Sequence, residues 1–275
     1  MIEKVKVSVI VPVKNEEKNL AQCLDSLRDF DDVVVVDSGS TDRTGEIAAE
    51  YGRQLVQFVW DGKFPKKRNW ALRNIEFKHP WVLFLDADER MTAAFAAELL
   101  RSLPRTAHNG FWIFYDNWFM GRMLRFGDAM RKLAMVRLGC GEYERVSEDG
   151  WSGLDMEIHE HLVVEGSVGV LRARLEHSDR RNLSSYYSKH NEYSSWEANR
   201  FLALQGREEL KGRQRLKYGL LRCWLFPYIY FMVAYIFKGG FLDGRSGYYF
   251  AMSKMFYFMQ IQAKVKELTA GYCDN

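Results

Sequence analysis

The chain has 275 residues, 47% of them hydrophobic and 27% charged, with five prolines. That apolar content is enough to bury a core, which excludes a disordered or low-complexity protein, and the length suits one large domain or a domain with an appendage. Thirty-nine basic residues against thirty-six acidic leave a net charge of +3, which argues against a bulk nucleic-acid binder. Cys23, Cys140, Cys223 and Cys273 are far apart, so neither a zinc knuckle nor a dithiol redox site is expected, and a reducing compartment fits. The opening MIEKVKVSVIVPV lacks the apolar core and cleavage site of a leader and reads as the first strand of a cytoplasmic fold.

Residues 1 to about 105 alternate strand and helix. The run 5–13 is dominated by β-branched residues, the pattern of a strand buried on both faces. Leu20, Cys23, Leu24 and Leu27 then mark one face of a helix over 15–28. A second buried strand over 32–36 ends in Asp37-Ser-Gly-Ser-Thr-Asp42, with a helix over 41–51 behind it. A third strand covers 55–59, a helix carrying Lys66, Lys67 and Arg68 covers 65–75, and a fourth strand covers 81–85. That strand ends in Asp86-Ala-Asp88, and a helix follows over 93–103. Such alternation predicts an α/β fold with a mostly parallel sheet between helices, whose ligands bind beyond the carboxyl ends of the strands. Polar clusters stand at three such ends: residues 14–16, 37–42 and 86–88. Their repeated placement predicts one convergent site.

Further strands are expected over 111–114, 134–138, 162–164 and 168–176, and polar, aromatic helix over 182–216. Residues 219–237 then hold one charge, Arg222, and one proline, Pro227, and residues 248–262 are apolar almost all round. We therefore divide the chain into a catalytic domain over 1–180 and a helical, aromatic-rich region over 181–275.

The candidate chemistry follows from residue type and position. Two carboxylates two apart beyond a buried strand can aim at one spot, and their hard oxygens suit Mg²⁺ or Mn²⁺ bridging phosphate oxygens. Ser40 or Thr41 reads as a helix cap, whereas Asp37 lies before the turn, where its carboxylate can accept a ring N–H of a pyrimidine. Arg68 can neutralise a phosphate by a two-pronged contact.

The segments SVIVPVKNEEKNLAQCLDSL, VVVVDSGSTDRT, KKRNWAL and WVLFLDADER, in that order, resemble family 2 glycosyltransferases of the GT-A fold. The resemblance covers about residues 5–90. It implies a nucleotide-sugar donor with a UDP-sugar favoured, a divalent metal and inversion at the anomeric carbon. By the same resemblance Pro12, Val13, Asn15 and Asp37 line the base, Asp86 contacts the ribose, and Asp88 binds the metal, with Arg68 near base or phosphates. The later segments MEIHEHL, LEH and KGGFLDGRSGYYFAMSK are similar to bacterial lipopolysaccharide core β-1,4-glucosyltransferases, which implies a lipid-linked glycan acceptor. Undecaprenyl-linked or other surface glycans are the alternative acceptors, and a non-catalytic nucleotide-binding membrane protein is the alternative class.

The expected mechanism needs a carboxylate to take the acceptor proton. Related transferases place it beyond the Asp-x-Asp pair, where this chain has His159 and Glu160. Glu160 is the candidate base, with Asp155 and Glu157 as alternatives. His159 and His177 are candidates to reach the diphosphate or join Asp86 at the metal.

Nineteen helical residues over 219–237 would extend roughly 28 Å, close to the bilayer core of about 30 Å. Arg222 and Pro227 argue against a clean span. Residues 207–222 hold Arg207, Lys211, Arg213, Arg215, Lys217 and Arg222 against Glu208 and Glu209, a net charge of +4 beside Trp-, Tyr- and Phe-rich sequence. That pattern predicts a peripheral or monotopic attachment to the anionic inner face of the cytoplasmic membrane.

Overall fold

The computed structural model describes residues 4–145, 153–157, 160–204 and 212–270. In chain order the strands are β1 (Ser8–Val13), β2 (Val33–Asp37), β3 (Gln54–Gln57), β4 (Trp81–Phe84), β5 (Glu89–Arg90), β6 (Gly110–Phe119), β7 (Arg122–Leu124), β8 (Arg131–Arg137), β9 (Gly141–Tyr143), β10 (Leu162–Val164) and β11 (Val168–His177). The α-helices are α1 (Leu20–Asp25), α2 (Thr44–Glu50), α3 (Lys67–Asn74), α4 (Ala93–Ser102), α5 (Leu183–Ala203), α6 (Gly212–Leu221), α7 (Phe226–Phe231) and α8 (Gly244–Ala270).

A nine-stranded sheet has the main path β3-β2-β1-β4-β8-β6-β11-β5. β1 lies parallel to β2 and β4, and β2 lies parallel to β3, as the strand-helix alternation predicts. β8 runs antiparallel to both β4 and β6, and β11 is parallel to β6. The sheet is therefore mixed but mostly parallel. Its core shows why the β-branched runs were continuous. Val9, Val11 and Val13 enter one apolar cluster with Leu20, Leu24 and Phe95, while Ile10 enters a second on the opposite face with Val34, Phe84 and Ala71. Successive side chains of a strand point to opposite faces, so a strand covered by helices on both must be apolar at every position.

The chain divides into two compact units. The first takes in the described residues of Met1–Trp118, Ala129–Ser147 and Gly153–Arg180. The second takes in Phe119–Asp128 and the described residues of Arg181–Asn275. The sequence division at 180/181 places Phe119–Asp128 in the first domain. Its assignment to the second has a clear physical cause: Asp243 accepts the backbone N–H groups of Arg125 and Phe126, and Asp128 accepts Tyr230 Oη at 2.6 Å and Lys238 Nζ at 2.8 Å.

In the second unit Ala198, Phe201, Tyr218, Leu221, Phe226 and Ile261 form the core. The apolar stretch over 219–237 is not one continuous helix. α6 stops at Leu221, α7 starts at Phe226 with Pro227 in its first turn, and a π-helical stretch fills Met232–Phe237. Pro227 fits that start because the first N–H groups of a helix have no partner within it. Among the described residues no single helix is long and apolar enough to cross a membrane. The pair Arg215–Leu221 and Phe226–Phe237 is so only jointly, bent by 118°.

Candidate active site

The strand order turns at β1: the chain runs outward through β2 and β3, then returns to place β4 on the other side of β1. A crevice opens beyond strand ends at such a reversal. Val13 ends β1 in register with Asp37 at the end of β2, and Pro12 pairs with Val36. Asn15, left-handed at φ 55°, turns the chain out of β1. Its N–H donates to Ser40 Oγ at 2.9 Å, its Oδ1 accepts from Thr41 N at 2.8 Å, and Ser40 Oγ in turn donates to Asp37 Oδ1 at 2.5 Å. Asp37, buried at 3% exposure, also accepts from Gln57 Nε2 at 3.1 Å. Gly39 makes the intervening turn at φ 72°, where a Cβ would be strained. Asn15 and Asp37 are thus linked through Ser40 beyond the ends of β1 and β2, while Val13 is buried in the apolar cluster beneath.

Beyond β4 the chain turns tightly, with Glu89 N donating to Asp86 O at 2.8 Å. Oxygen atoms of Asp86, Asp88 and Glu89 lie within 4.8 Å of one another. Sequence reading singles out the first two; Glu89 was missed, because nothing in ADE predicts a turn that brings it back. These are hard carboxylate oxygens, and three on one spot fit a Mg²⁺ or Mn²⁺ ion. His177 adds to this fit. It pairs with Glu89 in register, its Nδ1 meets Asn117 Oδ1 at 2.9 Å, and its Nε2 stands 3.7 Å from Asp88 Oδ2. Since Asn117 Oδ1 only accepts, His177 Nδ1 is the donor in that hydrogen bond, which orients the ring with Nε2 toward Asp88. His159 lies outside the described residues.

Arg68 faces this trio from α3. Its Nη2 reaches Asp86 Oδ1 at 2.5 Å, another nitrogen donates to the Glu157 carbonyl, and the guanidinium lies over the Tyr143 ring at 5.3 Å. Lys132 of β8 reaches Asp86 Oδ2 at 2.6 Å and Glu89 Oε1 at 2.5 Å. Burial, with the charges of Asp86 and Asp88, pushes the Glu89 carboxyl up to about 7 against the opposing pull of Lys132.

The KKR run, which composition alone reads as solvated, is buried, with Lys67 at 1% exposure. Each member meets one of the three acids named as base candidates. Lys66 Nζ binds Glu160 Oε1 at 2.8 Å, Lys67 Nζ lies 3.4 Å from Asp155 Oδ2 and donates to Val13 O, and Arg68 binds the Glu157 backbone. The Glu157 carboxylate accepts Arg68 N at 2.8 Å and Asn69 N at 3.0 Å, so it caps α3 from 89 positions away. Burial raises the Glu157 pKa. Burial also acts to raise Asp155, but Lys67 and a Ser38 hydrogen bond outweigh it, and the carboxyl ends below its ordinary range.

Glycosyl transferase family 2 matches residues 8–148. With just over half the chain inside that match, this chain belongs to the family, and the mixed sheet with its strand-end acids is a GT-A fold carrying a long C-terminal helix. It is 29% identical to the lipopolysaccharide core biosynthesis glycosyltransferase LpsC of Rhizobium meliloti, over 96% of this chain and 93% of that one. It is 25% identical to an uncharacterized glycosyltransferase of Rickettsia prowazekii, over 86% and 81%. Among solved structures, Staphylococcus aureus TarS residues 1–349 align at 18% identity over 97% of this chain and 92% of that one, with a TM-score of 0.45. Glucosyl-3-phosphoglycerate synthase of Mycobacterium tuberculosis, solved with Mn²⁺ and UDP, aligns at 28% identity over 40% and 43%, with a TM-score of 0.33.

Proposed function

We propose that this glycosyltransferase moves glucose from UDP-glucose, with inversion, onto a membrane-bound glycolipid of the lipopolysaccharide inner core. The observation that carries the reading is the convergence of Asp37, Arg68, Asp86 and Asp88 beyond the ends of β1, β2 and β4. The likeness to LpsC along nearly the whole chain supports the acceptor class.

The strand-end segments holding Pro12, Val13, Asn15 and Asp37 receive the base, and Asp37 accepts its ring N–H. Asp86 holds the ribose. Asp88, with Asp86 and Glu89 and with His177 at its edge, would hold Mg²⁺ or Mn²⁺. When bound, that ion supplies a Lewis acid that neutralises charge on the leaving diphosphate. Arg68 adds a fixed positive charge at the same place, in a buried setting where it acts more strongly than in water. Glu160, paired with the Lys66 ammonium at 2.8 Å, takes the proton of the attacking acceptor hydroxyl.

The second unit supports residence at the inner face of the cytoplasmic membrane. Trp224 and Phe237 are 71% and 79% exposed, and Ile229, Met232 and Ile236 beside them are exposed too. A soluble surface rarely keeps such side chains together. A monotopic seat would bring the enzyme to a lipid-anchored acceptor.

The test is to incubate the enzyme with UDP-glucose, Mn²⁺ and purified lipopolysaccharide core acceptors, and to follow acceptor mass and anomeric configuration. One added β-linked hexose is expected. Glu160→Gln should retain donor binding and lose transfer. Nucleotide release with no sugar on any acceptor would contradict the reading.

A further inference from the structure

Lys132 does work that the donor-site reading leaves unassigned. It lies on β8, which pairs with β4, so its stem reaches the turn that carries the acids. Three carboxylates with oxygens within 4.8 Å repel one another and need positive charge. Among the described residues Arg68 and Lys132 supply it at Asp86: Arg68 takes Oδ1 and Lys132 takes Oδ2. Lys132 also takes Glu89 Oε1.

The two cations are held very differently. Arg68 is pinned by the Glu157 carbonyl and the Tyr143 ring and is 10% exposed at its side chain. Lys132 is 35% exposed at its side chain and is a compact charge on a flexible four-carbon stem. The oxygens it binds belong to the set that would ligate a divalent ion. An ammonium and a divalent ion compete for them, because both are cations drawn to the same carboxylate charge. Beneath Lys132 lies the ring of Tyr115, 5.3 Å from its Nζ. The buried Tyr115 hydroxyl makes no hydrogen bond among the described residues.

Resting on the donor-site reading above, we propose that Lys132 is an exchangeable counter-cation: its ammonium occupies the Asp86–Glu89 pair in the ion-free enzyme and leaves it when the divalent ion binds. The ion must displace an internal competitor, so its affinity in the absence of donor is held down. A diphosphate offers the released ammonium new oxygen partners, so nucleotide and ion bind cooperatively, and the coupling is reciprocal. Lys132 is thus a positioning residue that ties ion loading to donor loading.

The experiment is calorimetric titration of the full chain with MnCl₂ alone and with MnCl₂ after saturation by UDP, on wild type, Lys132→Met and Lys132→Arg. Without nucleotide, Lys132→Met should bind Mn²⁺ about tenfold tighter or more than wild type, and UDP should then add less to Mn²⁺ affinity than it adds in wild type. Lys132→Arg keeps the charge and should stay near wild type. A folded Lys132→Met that binds Mn²⁺ no tighter than wild type overturns the exchange while leaving the metal reading standing. Absence of Mn²⁺ binding in all three proteins, with and without UDP, overturns the metal reading and this proposal together. If Lys132→Met does not fold, acetylation of Lys132 in the wild type, mapped by peptide mass spectrometry, decides: it should rise when saturating Mn²⁺ is added without nucleotide, and unchanged or reduced labelling overturns the exchange.

Discussion

Arg68 and Asp86 are joined at 2.5 Å, Nη2 to Oδ1, across eighteen positions of the sequence. The contact ties the first turn of α3 to the turn beyond β4, and so fixes the guanidinium against the acids. The same guanidinium donates to the Glu157 carbonyl, so it uses its fork in two directions. A lysine offers one compact charge and cannot make both contacts. Arg68→Lys should lower kcat for sugar transfer by about 10²-fold, the usual loss when one preorganised donor is removed. Steady-state kinetics with a melting curve on the same sample would check this.

Glu157 has a structural task. Lys66, at the cap position just before α3, makes no side-chain cap, and the Glu157 carboxylate takes two of the helix's first N–H groups instead. A glutamine has one acceptor oxygen and would turn its NH₂ toward the other donor. Glu157→Gln should cost about 1–3 kcal/mol of stability, read by urea unfolding. Glu160→Gln makes a useful contrast, since its predicted effect is on transfer at retained donor binding.

His190, on α5, stacks on Tyr186 with ring centroids 3.9 Å apart and also meets Tyr193 and Tyr257. Burial first, and Lys254 and Lys189 second, push its pKa down to about 4 from the ordinary 6.5. The unfolded chain therefore takes up its proton first as pH falls. Its contribution to stability is full above pH 6.5, declines as pH falls from 6.5 to 4, and is flat below. At about 1.4 kcal/mol per unit the loss approaches 3 kcal/mol. Unfolding free energies at pH 7, 5.5 and 4 should fall in that order, and His190→Gln should flatten that decline.

Trp224 and Phe237 give the membrane seat its own test. Each is far more exposed than buried, so Trp224→Ser and Phe237→Ser should change stability by less than about 0.5 kcal/mol. Partitioning to vesicles rich in anionic lipid should weaken by about tenfold for each substitution. Vesicle flotation against a melting curve separates the two effects.

Much of the first unit was legible in the chain. A strand covered on both faces has to be apolar throughout, so Val9–Val13 and Val33–Val36 could hardly be anything else. Asp37, Asp86 and Asp88 stood out because each follows such a run. Contacts made at long range were not legible. Lys66, Lys67 and Arg68 read as a solvated run because their partners Glu160, Asp155 and Glu157 lie about ninety positions further on. Lys132 fell outside a strand read as beginning at Ala134, since the charged start of β8, RKL, carries no apolar signal. Pro227 spoke against one clean helix over 219–237, but the sequence did not mark the break between Leu221 and Phe226, where Gln262 of α8 donates to the carbonyls of Leu221 and Cys223. A side chain from another element satisfied the free helix end, and no local pattern encodes that.

The central claim is that the strand-end acids bind a nucleoside diphosphate through a divalent ion. The most direct measurement is calorimetric titration of UDP, GDP, ADP and CDP, with and without Mn²⁺, into wild type and Asp88→Ala. The account predicts Mn²⁺-dependent binding of UDP in preference to the others, weakened at least about tenfold in Asp88→Ala. Binding of no nucleotide in the presence of Mn²⁺, or equal binding by wild type and Asp88→Ala, would contradict it.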